Sequence, residues 1–517
     1  MTGGTFAIFP APYVSLLATT ANDSKYLQIA RTFVDTMIEK GTDRYGSVHS
    51  PLFAAMLDLE TLSLPVIDFP EEFFRTSNGQ IQGVGYRLPN PPVGIRPGDR
   101  APLGNNLEHD AVLLAAMYEL SKLIGEPKYA AHADAYLRFW LETCQSPATG
   151  LPASGEHMSW DFVRERAYGN VHEVFRRFPL YDKLYSIDPY RTLKIADALW
   201  VSQIGNKKVA DFSRHAGYES YKPGLGAAYP RHAGFYIWAY ANAYVASRDP
   251  KYIHRIEVHI ESRTGKRLYP ESLLVEPGSF QPEKSTDLTL RMCLWDAAEL
   301  VPERRAAWRA VVRELDEEAL AEPEPELRRT IGRPRTPEEQ AKFQRDYPGA
   351  LRYGRVATAG GVFTTSTTVG PLWLMGYGNA GASGLALQYT SHYRRTRDDR
   401  FLRRAERIAD QYVAERMPSQ THDLWPKATG QVISLMLALA GEAAIAPAKR
   451  KGYESFAIEV ADASIRLFSR NGLFRADGAA EHYEAITGAD DLVWALLQLH
   501  SRLSLPDRAL GHVDANW

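Results

Sequence analysis

Hydrophobic positions recur at helical spacing over most of this chain, and the recurrence comes in pairs. Stretches such as LEHDAVLLAAMYELSKLI, AGFYIWAYANAYVAS and ASGLALQYTSHYRRT carry apolar residues with a helical period. Each runs into a short polar turn that opens a second such stretch. These turns are Gly125-Glu126-Pro127-Lys128-Tyr129, Arg248-Asp249-Pro250-Lys251-Tyr252 and Arg397-Asp398-Asp399-Arg400-Phe401. Asn22-Asp23-Ser24-Lys25-Tyr26 opens the first helical pattern in the same way. An acidic residue favours a helix N-terminus, Pro is tolerated in the first turn, and the aromatic residue begins the apolar face. Connections this short make consecutive helices antiparallel neighbours. The same periodicity predicts helices over 24–40, 172–187, 189–203, 286–299, 303–319, 428–444, 453–470 and 489–503.

Strand signals are sparse. YIHRIEVHIESRTGKRLYP is compatible with a short hairpin or with a helix and a polar turn, and RYGRVATAGGVFTTSTTVG (352–370) is the best extended stretch, being rich in Thr, Val and Gly. The charged, Pro-rich interval 320–350 reads as a surface loop, because helical hairpins resume after it, and 504–517 reads as an irregular tail. Roughly a dozen helices in repeated hairpins, separated by long Gly-rich loops, predict an all-α fold. The expected architecture is an (α/α)6–7 barrel, a toroid with little β structure that takes all of 1–517 as one domain. Long loops gathered at one mouth are where a ligand would bind.

Composition narrows the classes. The 517 residues are 45% hydrophobic and 24% charged, with 60 basic against 62 acidic residues and a net charge of -2, so no global bias points to nucleic acid or a membrane surface. The two cysteines, Cys144 and Cys293, lie in helical patterns and are expected to be buried thiols, too few for a cysteine-rich zinc site. No apolar run is long enough to span a bilayer. The N-terminal segment lacks a basic start and is broken by two prolines, so the expected compartment is the cytoplasm, or the periplasm or exterior if a leader is missing. The chain holds 27 Tyr, 20 Phe and 10 Trp, which suit sugar faces, a large core or contacts between subunits of a homo-oligomer.

The most informative motif occurs twice. Arg214-His215-Ala216-Gly217-Tyr218 is followed by Arg231-His232-Ala233-Gly234-Phe235, around the irregular Lys222-Pro223-Gly224-Leu225-Gly226. An Arg fork binds a planar carboxylate bidentately, and a neighbouring His carries a proton near neutral pH. The pairing suits a small acidic ligand such as a sugar acid; the plainer alternative is that both pairs cap helices. Other loops are polar and aromatic: Arg44 and Tyr45, Asn106 before Glu108 and His109, Trp425, and Glu481-His482-Tyr483-Glu484. Glu156, His157 and Asp161 lie within six residues, with Asn170, His172 and Glu173 soon after. Hydrolysis of a glycosidic bond needs one carboxylic acid for the leaving oxygen and a second carboxylate as base or nucleophile. Glu156, Asp161 and Glu173 can supply that pair, with His157 and His172 orienting them.

A lyase would use the same set differently. Asn170 and His172 with Arg214 or Arg231 would neutralise a uronate carboxylate, and His215, His232, Tyr45 or Tyr236 would move the protons. His109, His157 and His172 with Glu156 or Glu173 form an N/O set for a divalent cation, but their spacing matches no compact metal motif, so no cofactor is expected. There is no GxSxG elbow, Walker A loop or GxGxxG after a strand, which sets nucleotide chemistry aside.

The hairpin repeat and the loops TGLPASGEHMSWD, GNVHEVF and FSRHAGY resemble the α/α-toroid carbohydrate-active enzymes, which include uronic-acid-specific glycoside hydrolases and polysaccharide lyases. His172-Glu173 at a helix start is similar to a feature of several bacterial toroid glycosidases. The resemblance covers about 24–503 at the level of architecture, and implies a carbohydrate substrate with a uronate at the cleaved position. Metal-dependent pectate lyases of this architecture place an Arg beside a ligand His, whereas Val171 precedes His172 here. The leading expectation is an exo-acting hydrolase of a uronic-acid-terminated oligo- or polysaccharide, β-glucuronidase-like. A β-elimination lyase comes second, and a non-catalytic glycan-binding toroid third.

Overall fold

The computed structural model describes residues 24–65, 99–155, 158–169, 177–212, 217–219, 230–265, 288–321, 381–418 and 421–514. It also describes the short or single positions 76–77, 80–81, 89, 92, 95, 268, 326–327, 368–369, 372–373 and 375. Fourteen α-helices appear among them. They are α1 (Lys25–Thr36), α2 (Leu107–Ile124), α3 (Lys128–Thr143), α4 (Tyr181–Ile187), α5 (Pro189–Ala198), α6 (Pro230–Ser247), α7 (Lys251–Thr264), α8 (Thr289–Leu300), α9 (Arg305–Ala321), α10 (Gly381–Thr396), α11 (Asp399–Glu415), α12 (Pro426–Ala440), α13 (Pro447–Phe468) and α14 (Ala489–Ser504). None is long and apolar enough to cross a membrane.

Even-numbered helices form an inner ring and odd-numbered helices an outer one. Packing runs α4–α6–α8–α10–α12–α14–α2 around the inner ring, and α3 joins α2 back to α4. Each outer helix packs on an inner one: α3 on α2, α5 on α4 and on α6, α7 on α6, α9 on α8, α11 on α10, α13 on α12 and α1 on α14. The described helices therefore form an all-α toroid of seven hairpins, at the upper end of the expected range. Burial follows the layers, because a helix surrounded by helices has no solvent face. Inner α12 buries fourteen of its fifteen residues, whereas outer α11 buries Phe401, Leu402, Arg404, Ala405, Ile408, Ala409 and Tyr412 on one face. Small residues let inner helices meet closely: a Cβ on Gly430 of α12 would stand 2.7 Å from the α14 backbone.

The repeated turn motif sits at one end of the barrel. Gly125, Arg248 and Arg397 adopt left-handed φ of 74°, 58° and 60°, and their N–H groups close on Ser121, Tyr244 and Tyr393. Asp249 and Asp398 then accept the N–H groups of Lys251 and Arg400 and start the next helix. The ambiguous stretch around 252–264 is helix α7. Within the Thr- and Gly-rich 352–370 only Thr368–Val369 is described, pairing in parallel with Glu326–Leu327 of the charged loop. Cys144 and Cys293 are buried free thiols.

At the other end long connections meet. Thr149 donates to Tyr218 O and the Tyr218 hydroxyl donates to Cys144 O, joining the third connection to the second. Gly104–Asn105 pairs with Met158–Asp161, joining the second to the first. Met56–Asp58 pairs antiparallel with His482–Glu484, joining the first to the last. Gly478 N–H bonds Leu424 O, joining the last to the sixth. Beside the Met56–Asp58 pairing, Arg100 grips Glu484 with two bonds of 2.7 and 2.8 Å, and His482 Nε2 lies 3.0 Å from the same carboxylate. All three side chains are buried.

Burial alone would raise the Glu484 carboxyl, but Arg100 and His482 draw it down from 4.5 to about 2. A folded value below the unfolded one means stabilisation that is complete above about pH 4.5 and lost as pH falls towards 2. Glu484→Gln is expected to cost about 3 kcal/mol at neutral pH, since it strands a buried guanidinium. It should also flatten the acid limb of a Tm-against-pH curve. An unaltered limb would show that the pair does not stabilise the closure.

Candidate functional site at the loop end of the barrel

Every inner helix starts at the end where the long connections gather, because each follows a long connection and ends in a short turn, except α14, which closes the ring. The positive ends of the inner-helix dipoles therefore converge on that mouth, a field that favours anions. First turns carry charge there. Asp110 lies on α2, Lys427 on α12, and Asp490 and Asp491 on α14, with Lys427 Nζ 3.9 Å from Asp491 Oδ2.

Asp110 is the centre of a closed polar knot. Its Oδ2 accepts from Asn105 at 2.6 Å and from the Tyr136 hydroxyl at 2.8 Å, while Tyr136 also reaches Asn105 Oδ1 at 3.0 Å. Asn105 in turn donates to Phe53 O, tying the first connection to α2 and α3. Burial pushes the Asp110 carboxyl up from 3.8 to about 7, against the two hydrogen bonds that favour its charge. Burial and the neighbouring Asp491 push Asp490 well above its ordinary range, and burial raises Asp491 against the pull of Lys427. Asp110 is 1% exposed, so it acts on the frame of the mouth rather than on a ligand directly.

The candidates read from the sequence divide into three groups. Glu156, His157, Asn170, His172, Glu173, Arg214 and His215 lie outside the described residues, and of Arg231 only its place in the first turn of α6 is described. A second group serves the frame. Asn106 caps α2 by accepting from Glu108 N–H and donates to Gly155 O at 2.8 Å. Asp161 accepts the N–H groups of Val163 and Arg164 and the Arg164 guanidinium at 3.0 Å, which turns the strand Met158–Asp161 into Arg166–Gly169. The Tyr45 hydroxyl accepts from Leu64 N–H, and Arg44 donates to Leu62 O. A third group is packed among aromatics. His232 stacks on Phe212 at 4.2 Å, Tyr236 lies against Phe212 and His259, and Trp425 is 3% exposed at the start of α12. Of the N/O set considered for a cation only His109 is described. Among the described residues no three His, Cys, Asp or Glu side chains group closely enough to hold a metal ion.

A family model described as periplasmic pectate lyase matches residues 95–230. That span begins in the first connection, includes Asn106 and the knot of Asp110 and Tyr136, and ends as α6 starts. It contains Glu156, His157, Asn170, His172, Glu173, Arg214 and His215. The chain is also similar to solved structures. One is an unsaturated glucuronyl hydrolase specific for heparin, with 13% identity over 95% of this chain and 100% of that chain and a TM-score of 0.40. Another is a D-mannose isomerase, with 10% identity over 93% and 99% of the two chains and a TM-score of 0.44. A third is an α-1,6-mannanase from Salegentibacter sp. HEL1_6, with 9% identity over 93% and 99% and a TM-score of 0.38.

Arg100, Asp110 and Tyr136 do not stand out in the sequence, and Asn105 and Glu484 do so only as members of polar loops. The available signal was their company: Glu484 stands in the polar run 481–484, and Asn105 and Asp110 flank Asn106. The Asp110 knot has a definite pH signature. A folded carboxyl raised towards 7 keeps a proton that the unfolded chain releases near 4, so stability declines as pH rises between those values. Asp110→Asn retains the acceptor for Tyr136 and removes the charge. Its stability is expected to fall less than that of the parent from pH 4 to 7, by a few kcal/mol at the upper end. Parallel thermal melts across that window check this, and equal slopes for the two proteins would refute it.

Proposed function

We propose that this chain is a carbohydrate-active enzyme that cleaves a glycosidic bond at a uronic acid residue. The observation that carries the reading is the family match over 95–230, because that span contains the loops holding most of the acid, base and carboxylate-binding candidates. The converging inner-helix N-termini support it, since a uronate is an anion at every physiological pH.

The same match favours β-elimination over the hydrolysis that the paired carboxylates first suggested. In elimination a base removes the C5 proton of the uronate, the bond from C4 to the leaving oxygen breaks, and an acid protonates that oxygen. A double bond forms between C4 and C5 and no water is consumed. Neutralising the carboxylate makes the C5 proton removable, a role for Arg214 or Arg231 with Asn170. His172 and His215 are the proton-moving candidates, because His232 and Tyr236 are packed in the aromatic core and the Tyr45 hydroxyl accepts a backbone N–H. Hydrolysis remains the second reading, supported by Glu156 and Glu173 in the same span. Asp161 is the weakest member of that set, its carboxylate being committed to a turn.

The test is a panel of polygalacturonate and other uronate glycans, following near-ultraviolet absorbance of unsaturated product together with new reducing ends. Elimination predicts both signals rising together, and losses of about 10²- to 10⁴-fold in kcat for His172→Ala or His215→Ala. Reducing ends without absorbance would replace elimination with hydrolysis, and Glu156→Gln and Glu173→Gln would then carry the loss. Neither signal on any uronate glycan would refute the function itself.

A further inference from the structure

The segment after α14 was expected to be an irregular tail, and it is irregular but docked. Arg508 O accepts from Ser501 Oγ, Leu510 O from Gln498 Nε2 at 3.3 Å, and Gly511 O from Trp494 Nε1 at 3.1 Å. These partners step back along one face of α14 as the segment advances. Leu510 and Val513 pack against the core. Asp514 then reaches α10, where Ser391 Oγ donates to it at 2.9 Å and Arg395 at 2.5 Å.

From Asp514 a line of alternating charge continues. Arg395 grips both oxygens of Asp296 of α8 with bonds of 2.7 and 2.8 Å, and Arg177 donates to Oδ2 of the same carboxylate at 2.6 Å. Arg177 also lies 4.9 Å over the Trp238 ring of α6, and Trp238 Nε1 donates to Phe178 O. Neither α14 and α10 nor α8 and Arg177 are ring neighbours: α12 separates the first two, and α6 lies between the second two. These contacts therefore tie together parts of the ring that are not adjacent. Burial alone would raise the Asp296 and Asp514 carboxyls, but the flanking guanidiniums hold both below their ordinary value.

We propose that residues 505–514 form a strap from α14 to α10 that positions the candidate site, with Asp514 acting through Arg395 and Asp296 on Arg177. Arg177 stands four and five residues after Glu173 and His172 in the chain. Fixing residues 177 and 178 to α8 and α6 fixes one end of the segment that carries them. Arg177, Asp296, Arg395 and Asp514 are positioning residues. Their link to turnover rests on the reading of His172 and Glu173 as site residues, and the structural part does not.

The test is hydrogen exchange followed by mass spectrometry on the full chain, comparing the parent with Asp514→Asn and with the exposed control Asp507→Asn. Peptides covering 168–180 are expected to exchange about tenfold faster in Asp514→Asn and unchanged in the control, with α11 peptides unaffected in both. Ser391→Ala, which removes one bond to Asp514, should give a smaller change in the same peptides and serves if Asp514→Asn fails to fold. Unchanged exchange at 168–180 in the folded variants would overturn the proposal. On polygalacturonate, kcat is expected to fall about tenfold in Asp514→Asn with KM within about twofold, the pattern of misplaced groups rather than lost binding. Faster exchange with unchanged kcat would overturn the link to the site. A parent protein with no activity on uronate glycans would refute the function, while the exchange result still decides the strap.

Discussion

Closure of the ring is the constraint on which the other features depend. A row of helical hairpins buries its inner face only if the last hairpin meets the first, because an open arc would leave both end helices with an apolar side in water. Here α14 packs on both α1 and α2, joining residues more than 360 positions apart. Apolar packing brings the ends together but is tolerant of sliding. The pairing of Met56–Asp58 with His482–Glu484 fixes the register, and the buried Arg100–Glu484 pair has one geometry that satisfies it. A buried ion pair is weak evidence for net stability, yet a lone buried charge is strongly unfavourable. A misregistered closure would strand these buried charges and is disfavoured on that account.

Closure also decides where chemistry can occur. Seven inner helices that run the same way must place all their N-termini at one end, and the chain must climb back outside the ring between them. The long connections are thus forced to the end where helix dipoles are positive. That end needs no special arrangement to attract an anion, but it does need its own polar groups satisfied. The Asp110 knot, the Asn106 cap and the Asp161 turn are what satisfaction looks like here. They hold the first and second connections in place with side chains that resemble catalytic candidates in type and spacing.

That resemblance explains what the sequence could and could not reveal. Helices were legible because burial imposes a period, and three of the hairpins because their short turns repeat a left-handed residue, followed in two of them by an Asp that caps the next helix. Predicted spans such as 489–503 and 428–444 lie within a few residues of α14 and α12. Inner and outer roles were legible in outline, from small apolar residues against charged ones. The site was less legible. A carboxylate that caps a turn, such as Asp161, and one that protonates a leaving group obey the same local rules. What separates them is whether a backbone N–H is already bound, and that depends on the fold. His232 and Tyr236 failed to stand out as core residues because the aromatic cluster around Phe212 and His259 assembles from distant segments. Long-range pairings such as Arg100 with Glu484 leave no trace at any sequence spacing.

The strap is the extreme case of this limit. Residues 505–514 have no helical apolar period, which by local reasoning describes an irregular tail. Its order comes from partners supplied by α14, α10 and, through Arg395 and Asp296, by the chain around Arg177. Leu510 and Val513 add apolar contact with the core, and Asp514 supplies a charge that meets the guanidinium of Arg395. The same ionic line therefore links the end of the chain to α10, to α8 and to Arg177 just before α4, so the placement of residue 177 depends on a segment more than three hundred positions away.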